Sequence, residues 1–151
     1  MNRTGALALL AIPALAMAIA HGTSQARSLL PSAGRAVNPA DYACFWLNGS
    51  TMTNGCTVNK TIEMALPTDG DGHYTVTVTA QGQTTSNNVG CAAFGIDRAG
   101  LAWASDDPRR FLSVFGSTAE DLSTRAWKWG GGGMYVNCLV DPNGRVNVVN
   151  W

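Results

Sequence analysis

Histidine is scarce in this sequence, with two in 151 residues, and charge is thin, Asp, Glu, Lys and Arg together making up 13%. Ten basic residues balance ten acidic ones, and neither sign gathers into a run. Nucleic acid and anionic membrane are held by concentrated positive fields, so the balance argues against both as partners. Short cysteine intervals are missing too. No pair stands two to four residues apart, the spacing that lets one turn offer two thiolates to a zinc ion, which excludes a zinc ribbon. Absent as well is an amphipathic run long enough for the helix of a parallel crossover. Gly130 to Gly133 are followed by Met134 and Tyr135, not by Lys and Ser or Thr, so they form a linker or a bulge and not a phosphate loop.

What is present begins with an address. Asn2 and Arg3 precede an apolar run from Gly5 to Ile19, too short for a bilayer span of about 20 residues, and His21 to Ala26 form a polar exit. Residues 1–26 read as a secretory signal peptide. Ser24, Gln25 and Ala26 supply a cleavage site after Ala26, and Ala18 to Ala20 an earlier one. No cysteine follows the run to carry a lipid, and no later stretch is apolar enough to span a membrane. Cleavage removes Arg3 and His21 and leaves a secreted or periplasmic chain with nine basic and ten acidic side chains. Cys44, Cys56, Cys91 and Cys138 all lie beyond it, and an even count in an exported chain reads as two disulfides. Three pairings are open; Cys44 to Cys56 and Cys91 to Cys138 is the one expected.

After a lead-in over 27–40, expected to be flexible from its Pro31, Gly34 and Pro39, a single domain is expected over 41–151. Cys44 to Leu47 is strand-like and Asn48 to Gly55 a polar loop. Lys60 to Leu66 alternates with Ile62, Met64 and Leu66 on one face. Tyr74 to Ala80 is the clearest strand, setting Tyr74, Val76, Val78 and Ala80 against Thr75, Thr77 and Thr79. Val89 to Ile96, Leu101 to Ala104, Arg110 to Phe115 and Ala126 to Trp129 follow as strands. Ser117 and Glu120 have the spacing of a capping box for a helical turn over Thr118 to Leu122, although no helical period follows it. At the end, Asp141, Pro142, Asn143 and Gly144 separate two alternating runs. The expectation is a bulged hairpin with glycine left-handed, Met134, Val136 and Cys138 on one face of its first strand, and Val146 and Val148 together on its second.

Seven to nine short strands with regular turns predict an all-β fold, an antiparallel sandwich of the Ig-like or jelly-roll-like kind with two disulfides. The order Cys44, Cys56, the strand opening with Val89 to Cys91, then Tyr135 to Cys138 leading into Arg145 to Trp151, resembles a group of uncharacterised small secreted bacterial proteins with a four-cysteine β-sandwich domain. The resemblance implies fold and compartment, and carries no activity.

Chemical motifs are few. His73 is left alone beside the turn Asp69, Gly70, Asp71, Gly72, which looks like the start of a calcium loop but has Ala80 where the bidentate Glu belongs. No metal or other cofactor is expected. Asp106 with Asp107, and Glu120 with Asp121, stand in turn-like text where neighbours diverge, so they read as solvated loops and not as acid and base pairs. Asn48 with Ser50, and Asn59 with Thr61, match glycosylation sequons. Five tryptophans, Trp46, Trp103, Trp127, Trp129 and Trp151, are many for this size, and most are expected in the core. Trp127 and Trp129 share a strand face and either fill the core, with Lys128 in water, or form an open platform. Alternation favours the core.

With no catalytic constellation, the leading expectation is a non-enzymatic binding or envelope-associated module. A carbohydrate-binding module using Trp127 and Trp129, and a small inhibitor or effector acting through the Asn48 to Gly55 loop, are the alternatives, with a glycan or another secreted protein as partner.

Overall fold

The structure, a computed structural model, describes residues 27–101 and 103–151. The expected leader, with its Ala20 and Ala26 cleavage sites, lies outside the described residues, as does the side chain of Trp103. Twelve strands follow in order: β1 (Ser28–Leu29), β2 (Arg35–Ala36), β3 (Phe45–Asn48), β4 (Thr51–Asn54), β5 (Lys60–Leu66), β6 (Gly72–Gln81), β7 (Val89–Ile96), β8 (Trp103–Ala104), β9 (Arg110–Phe111), β10 (Glu120–Lys128), β11 (Gly133–Val140) and β12 (Arg145–Asn150). They form two six-stranded antiparallel sheets. The first runs β10, β6, β12, β4, β3 with β1 also on β12, and the second β2, β5, β11, β7, β8 with β9 also on β7. The predicted sandwich is thus the observed fold.

Alternation explains why the sheets meet. Val76, Val78 and Ala80 of β6, Ile62 and Met64 of β5, and Val136 and Cys138 of β11 are all at 0% exposure. Each large aliphatic side chain buried so completely contributes about 1.5–3 kcal/mol. The core is aliphatic, which corrects the expectation for the tryptophans: Trp46 is 46% and Trp127 38% exposed, and Trp129 and Trp151 are half-buried. Both expected disulfides are present. Cys44 and Cys56 are 12 residues apart, whereas Cys91 and Cys138 are 47 apart and sit directly opposite each other on β7 and β11.

The closing hairpin is a second correction. β11 pairs with β5 and β7, while β12 pairs with β6, β4 and β1 in the other sheet, so Asp141 to Gly144 is an arch between layers. Turn residues specify a reversal but not the sheet to which the outgoing strand returns. Here Asn54, fully buried, decides it. Its Nδ2 donates to Val140 O at 2.8 Å, its backbone carbonyl accepts from Asn143 N at 2.7 Å, and its own N–H donates to Gly144 O at 3.2 Å. Asn143, not the glycine, takes the left-handed conformation, at φ 61°. A bulge at Asn147 then shifts the alternation, so Val146 and Val149 are buried and Val148 is not.

Three local expectations also change. Residues 27–40, expected as a flexible lead-in, pair with both layers, β1 on β12 and β2 on β5. The loop Asn48 to Gly55 contains β4, hairpinned with β3 through Gly49 at φ 64°. No helical turn follows Ser117, in keeping with the lack of a helical period there. Glu120 opens β10 instead, its carboxylate accepting from Ser113 N, Ser113 Oγ and Val114 N at 2.7–2.8 Å. That segment leaves the expected Arg110 to Phe115 strand after β9 and crosses towards the first sheet.

Candidate functional site

β10 lies at the edge of the first sheet, paired along nine residues with β6. Leu122, Thr124 and Ala126 face inward, and so does Lys128, at 7% exposure, which puts Trp127 outside. This inverts the expectation that the indole is buried and the ammonium wet. The cause is a close backbone approach: a Cβ on Gly95 of β7 would stand 1.7 Å from Trp127 O. Sheets so close leave no room inside for an indole, and the small Ala126 takes the inward place. Lys128 survives burial because its stem packs while its ammonium reaches out to Gly70 O at 3.2 Å and lies 4.0 Å from Asp71 Oδ1.

Outside, Trp127 stands opposite His73 across the strand pair, with ring centroids 4.5 Å apart and planes at 69°. This edge-to-face contact suits the indole quadrupole. His73 Nδ1 is 2.7 Å from Asp106 Oδ2, and Asp106 N donates to Arg125 O at 2.9 Å, which fastens the loop of Asp106 to the outer edge of β10. Trp129 lies just past the strand end. Its carbonyl accepts from Gly132 N at 3.0 Å around Gly130 and Gly131, both left-handed at φ 60° and 67°. The glycine run is therefore a tight turn with the two left-handed central residues of type I′, and it carries the chain from the first sheet to the second. Together His73, Ala104, Asp106, Trp127 and Trp129 line a shallow, open cavity of about 460 Å³.

Two indoles, an imidazole and a carboxylate around open space can stack on a flat apolar face and hydrogen-bond hydroxyls at its rim. The nearby Ser105 hydroxyl donates to Asp107 O at 2.9 Å, so its proton is engaged away from His73. Among the described residues no three His, Cys, Asp or Glu side chains gather to hold a metal ion. In the Asp69 to Gly72 turn, Asp69 pairs with Arg27, and Asp71 accepts from Gly130 N at 3.0 Å. The acidic neighbours diverge: Asp106 meets His73 while Asp107 meets Arg125, and Glu120 meets Ser113 while Asp121 accepts from Thr79 Oγ1.

The structure brings Trp127 and Trp129 to one cavity, although from a strand and from the turn beyond it and not from a single strand face. Sequence reasoning missed His73 and Asp106 as their companions. One signal was readable: His73 continues the Thr75, Thr77, Thr79 alternation of β6, the wet face. The separation of 33 positions from His73 to Asp106 carried none.

No family model and no curated protein matches the chain. Among solved structures it is similar to the carbohydrate-binding module CBM35 from Paenibacillus barcinonensis, at 7% identity and TM-score 0.52 over 83% of this chain and 95% of that one. It is similar also to the C-terminal CBM6 of LamC, a marine laminarinase from Zobellia galactanivorans, at 8% identity and TM-score 0.53 over 83% and 98%. At these identities the likeness is one of fold.

Proposed function

We propose that this chain is an exported, non-catalytic binding module that holds a carbohydrate on Trp127 and Trp129. The observation that carries the reading is the placement of Trp127, which leaves the core at the sheet edge and is braced by His73, itself held by Asp106. A bare apolar ring in water costs free energy, and a braced one is ordered before a ligand arrives, which lowers the entropy lost on binding. Sugars present flat C–H faces to such rings and hydroxyls to carboxylates and imidazoles. The fold shared with carbohydrate-binding modules supports the reading, and two disulfides fit an oxidising compartment outside the cytoplasm. The engaged Ser105 hydroxyl and the wide, shallow cavity favour holding over chemistry.

The test is a polysaccharide array probed with residues 27–151 carrying both disulfides, followed by Asp106→Asn. The expected result is binding to at least one polysaccharide, weakened about tenfold in the variant, a loss within the range of one charged hydrogen bond. Absence of binding across the array would remove the carbohydrate reading.

A further inference from the structure

The outer face of the first sheet carries a second aromatic wall at its other edge, in different chemical company. Trp46 on β3 stands opposite Thr53 on β4, Thr53 opposite Arg145 on β12, and Arg145 opposite Gln81 on β6. With Asn48 and Asn147 this cross-strand row lines a cavity of about 120 Å³. We propose that the cavity is a separate site for the anionic group, carboxylate or sulfate, of an acidic saccharide whose ring lies on Trp46. It does not depend on the Trp127 cavity.

Arg145 carries the argument. It is half-buried, is the only charged side chain lining the cavity, and makes no ion pair or side-chain hydrogen bond among the described residues. Among the other arginines of the described residues, Arg27, Arg35 and Arg125 have carboxylate partners and Arg109 donates to Asn137, while Arg98 and Arg110, which lack a side-chain partner as Arg145 does, are exposed and line no such cavity. A guanidinium always carries its charge and five N–H donors, and its planar fork matches the two oxygens of a carboxylate or sulfate. The cavity is small, about 120 Å³ against about 460 Å³ for the Trp127 cavity, which suits a compact anionic group at Arg145 with the saccharide ring against Trp46 in its wall.

Trp46 is built to wait. A Cβ on Gly55 would stand 2.7 Å from Trp46 Nε1, so the indole lies directly on this glycine and a methyl group there would displace the ring. Gly55 N donates to Cys44 O at 2.8 Å, and the Cys44–Cys56 disulfide closes the same loop. The ring is therefore held, yet remains 46% exposed. Opposite it, the β12 bulge turns Asn147 to the cavity, the re-aiming for which bulges are used at sites. Amides at Asn48 and Asn147 suit ring hydroxyls.

The experiment is isothermal titration of residues 27–151 in a Trp127→Ala background, so that the first cavity does not contribute. The titrants are polygalacturonate, dextran sulfate, uncharged dextran and polyglutamate. One or both acidic polysaccharides should bind, and whichever does identifies the anion as carboxylate or sulfate. Dextran and polyglutamate should bind at least about tenfold more weakly. Arg145→Gln and Trp46→Ala should each weaken acidic-polysaccharide binding about tenfold or more, whereas Arg35→Gln, which removes an exposed positive charge elsewhere, should not. Equal losses in Arg35→Gln and Arg145→Gln would reduce the effect to bulk charge and overturn the proposal. So would polyglutamate binding as tightly as the polysaccharides, or no binding by either acidic polysaccharide. Should Trp46→Ala fail to fold, Arg145→Gln and Asn147→Ala decide the matter.

Discussion

Removing the Cys91–Cys138 disulfide should cost clearly more stability than removing Cys44–Cys56. Loop-closure entropy gives about 4 kcal/mol for a separation of 47 residues and about 3 for one of 12. Packing widens the gap. Cys91 and Cys138 are both at 0% exposure between the sheets, so replacing them by alanine opens a cavity worth about 1 kcal/mol more, whereas Cys56 is only half-buried. The double variants Cys91→Ala/Cys138→Ala and Cys44→Ala/Cys56→Ala should therefore lose about 5 and about 3 kcal/mol. Urea unfolding followed by tryptophan fluorescence measures both at one temperature. A domain with 5–15 kcal/mol in total is left marginal by the larger loss, so failure of the first variant alone to fold reports the same order. The reasoning is refuted if the local staple between Cys44 and Cys56 proves the more costly to remove.

Gly95→Ala should be among the most damaging single changes, above about 3 kcal/mol, because its methyl would meet backbone 1.7 Å away; a loss of less than about 1 kcal/mol by urea unfolding contradicts the close approach. Burial tends to raise the pKa of Glu120, but the hydrogen bonds from Ser113 and Val114 outweigh it and hold the carboxyl below its ordinary value. A group depressed on folding stabilises above its unfolded pKa of about 4.3, and that contribution is lost as pH falls through the folded value. The Tm difference between the parent and Glu120→Gln should thus be present at pH 7 and shrink below about pH 4; a constant difference would show that the carboxylate's charge is irrelevant. Secreted material should begin at Arg27, which mass spectrometry decides, and retention of Met1 on a membrane-bound product would remove the export reading.

Much of the fold was legible because burial on one face writes itself as alternation. Lys60 to Leu66 became β5 without a change of boundary, and Val76, Val78 and Ala80 were recognisable as core. Four cysteines allow three pairings, of which the expected one formed. What remained hidden depends on partners distant in sequence. The arch after β11 follows from Asn54 holding Val140 and Asn143, and Asn54 sits in text that reads as a polar loop. The orientation of Trp127 and Lys128 was misread because hydrophobicity alone assigns faces by side chain, while here the gap above Gly95 assigns them by volume. The site was half legible: the tryptophan pair is local, but His73 and Asp106 meet only because a loop returns to the free edge of β10. Glu120 shows the same limit, since its capping spacing is real and its partners lie upstream.

Trp127→Ala, assayed for polysaccharide binding by titration calorimetry and for stability by urea unfolding on the same preparation, is the measurement on which the account turns. A ring that is 38% exposed and packed edge-on to His73 should cost under about 2 kcal/mol, against about 3–5 for a fully buried tryptophan, while binding to an uncharged polysaccharide selected on the array falls below detection. A variant that loses 3 kcal/mol or more, or one that binds as the parent does, would contradict the claim that Trp127 is held at the surface to receive a sugar.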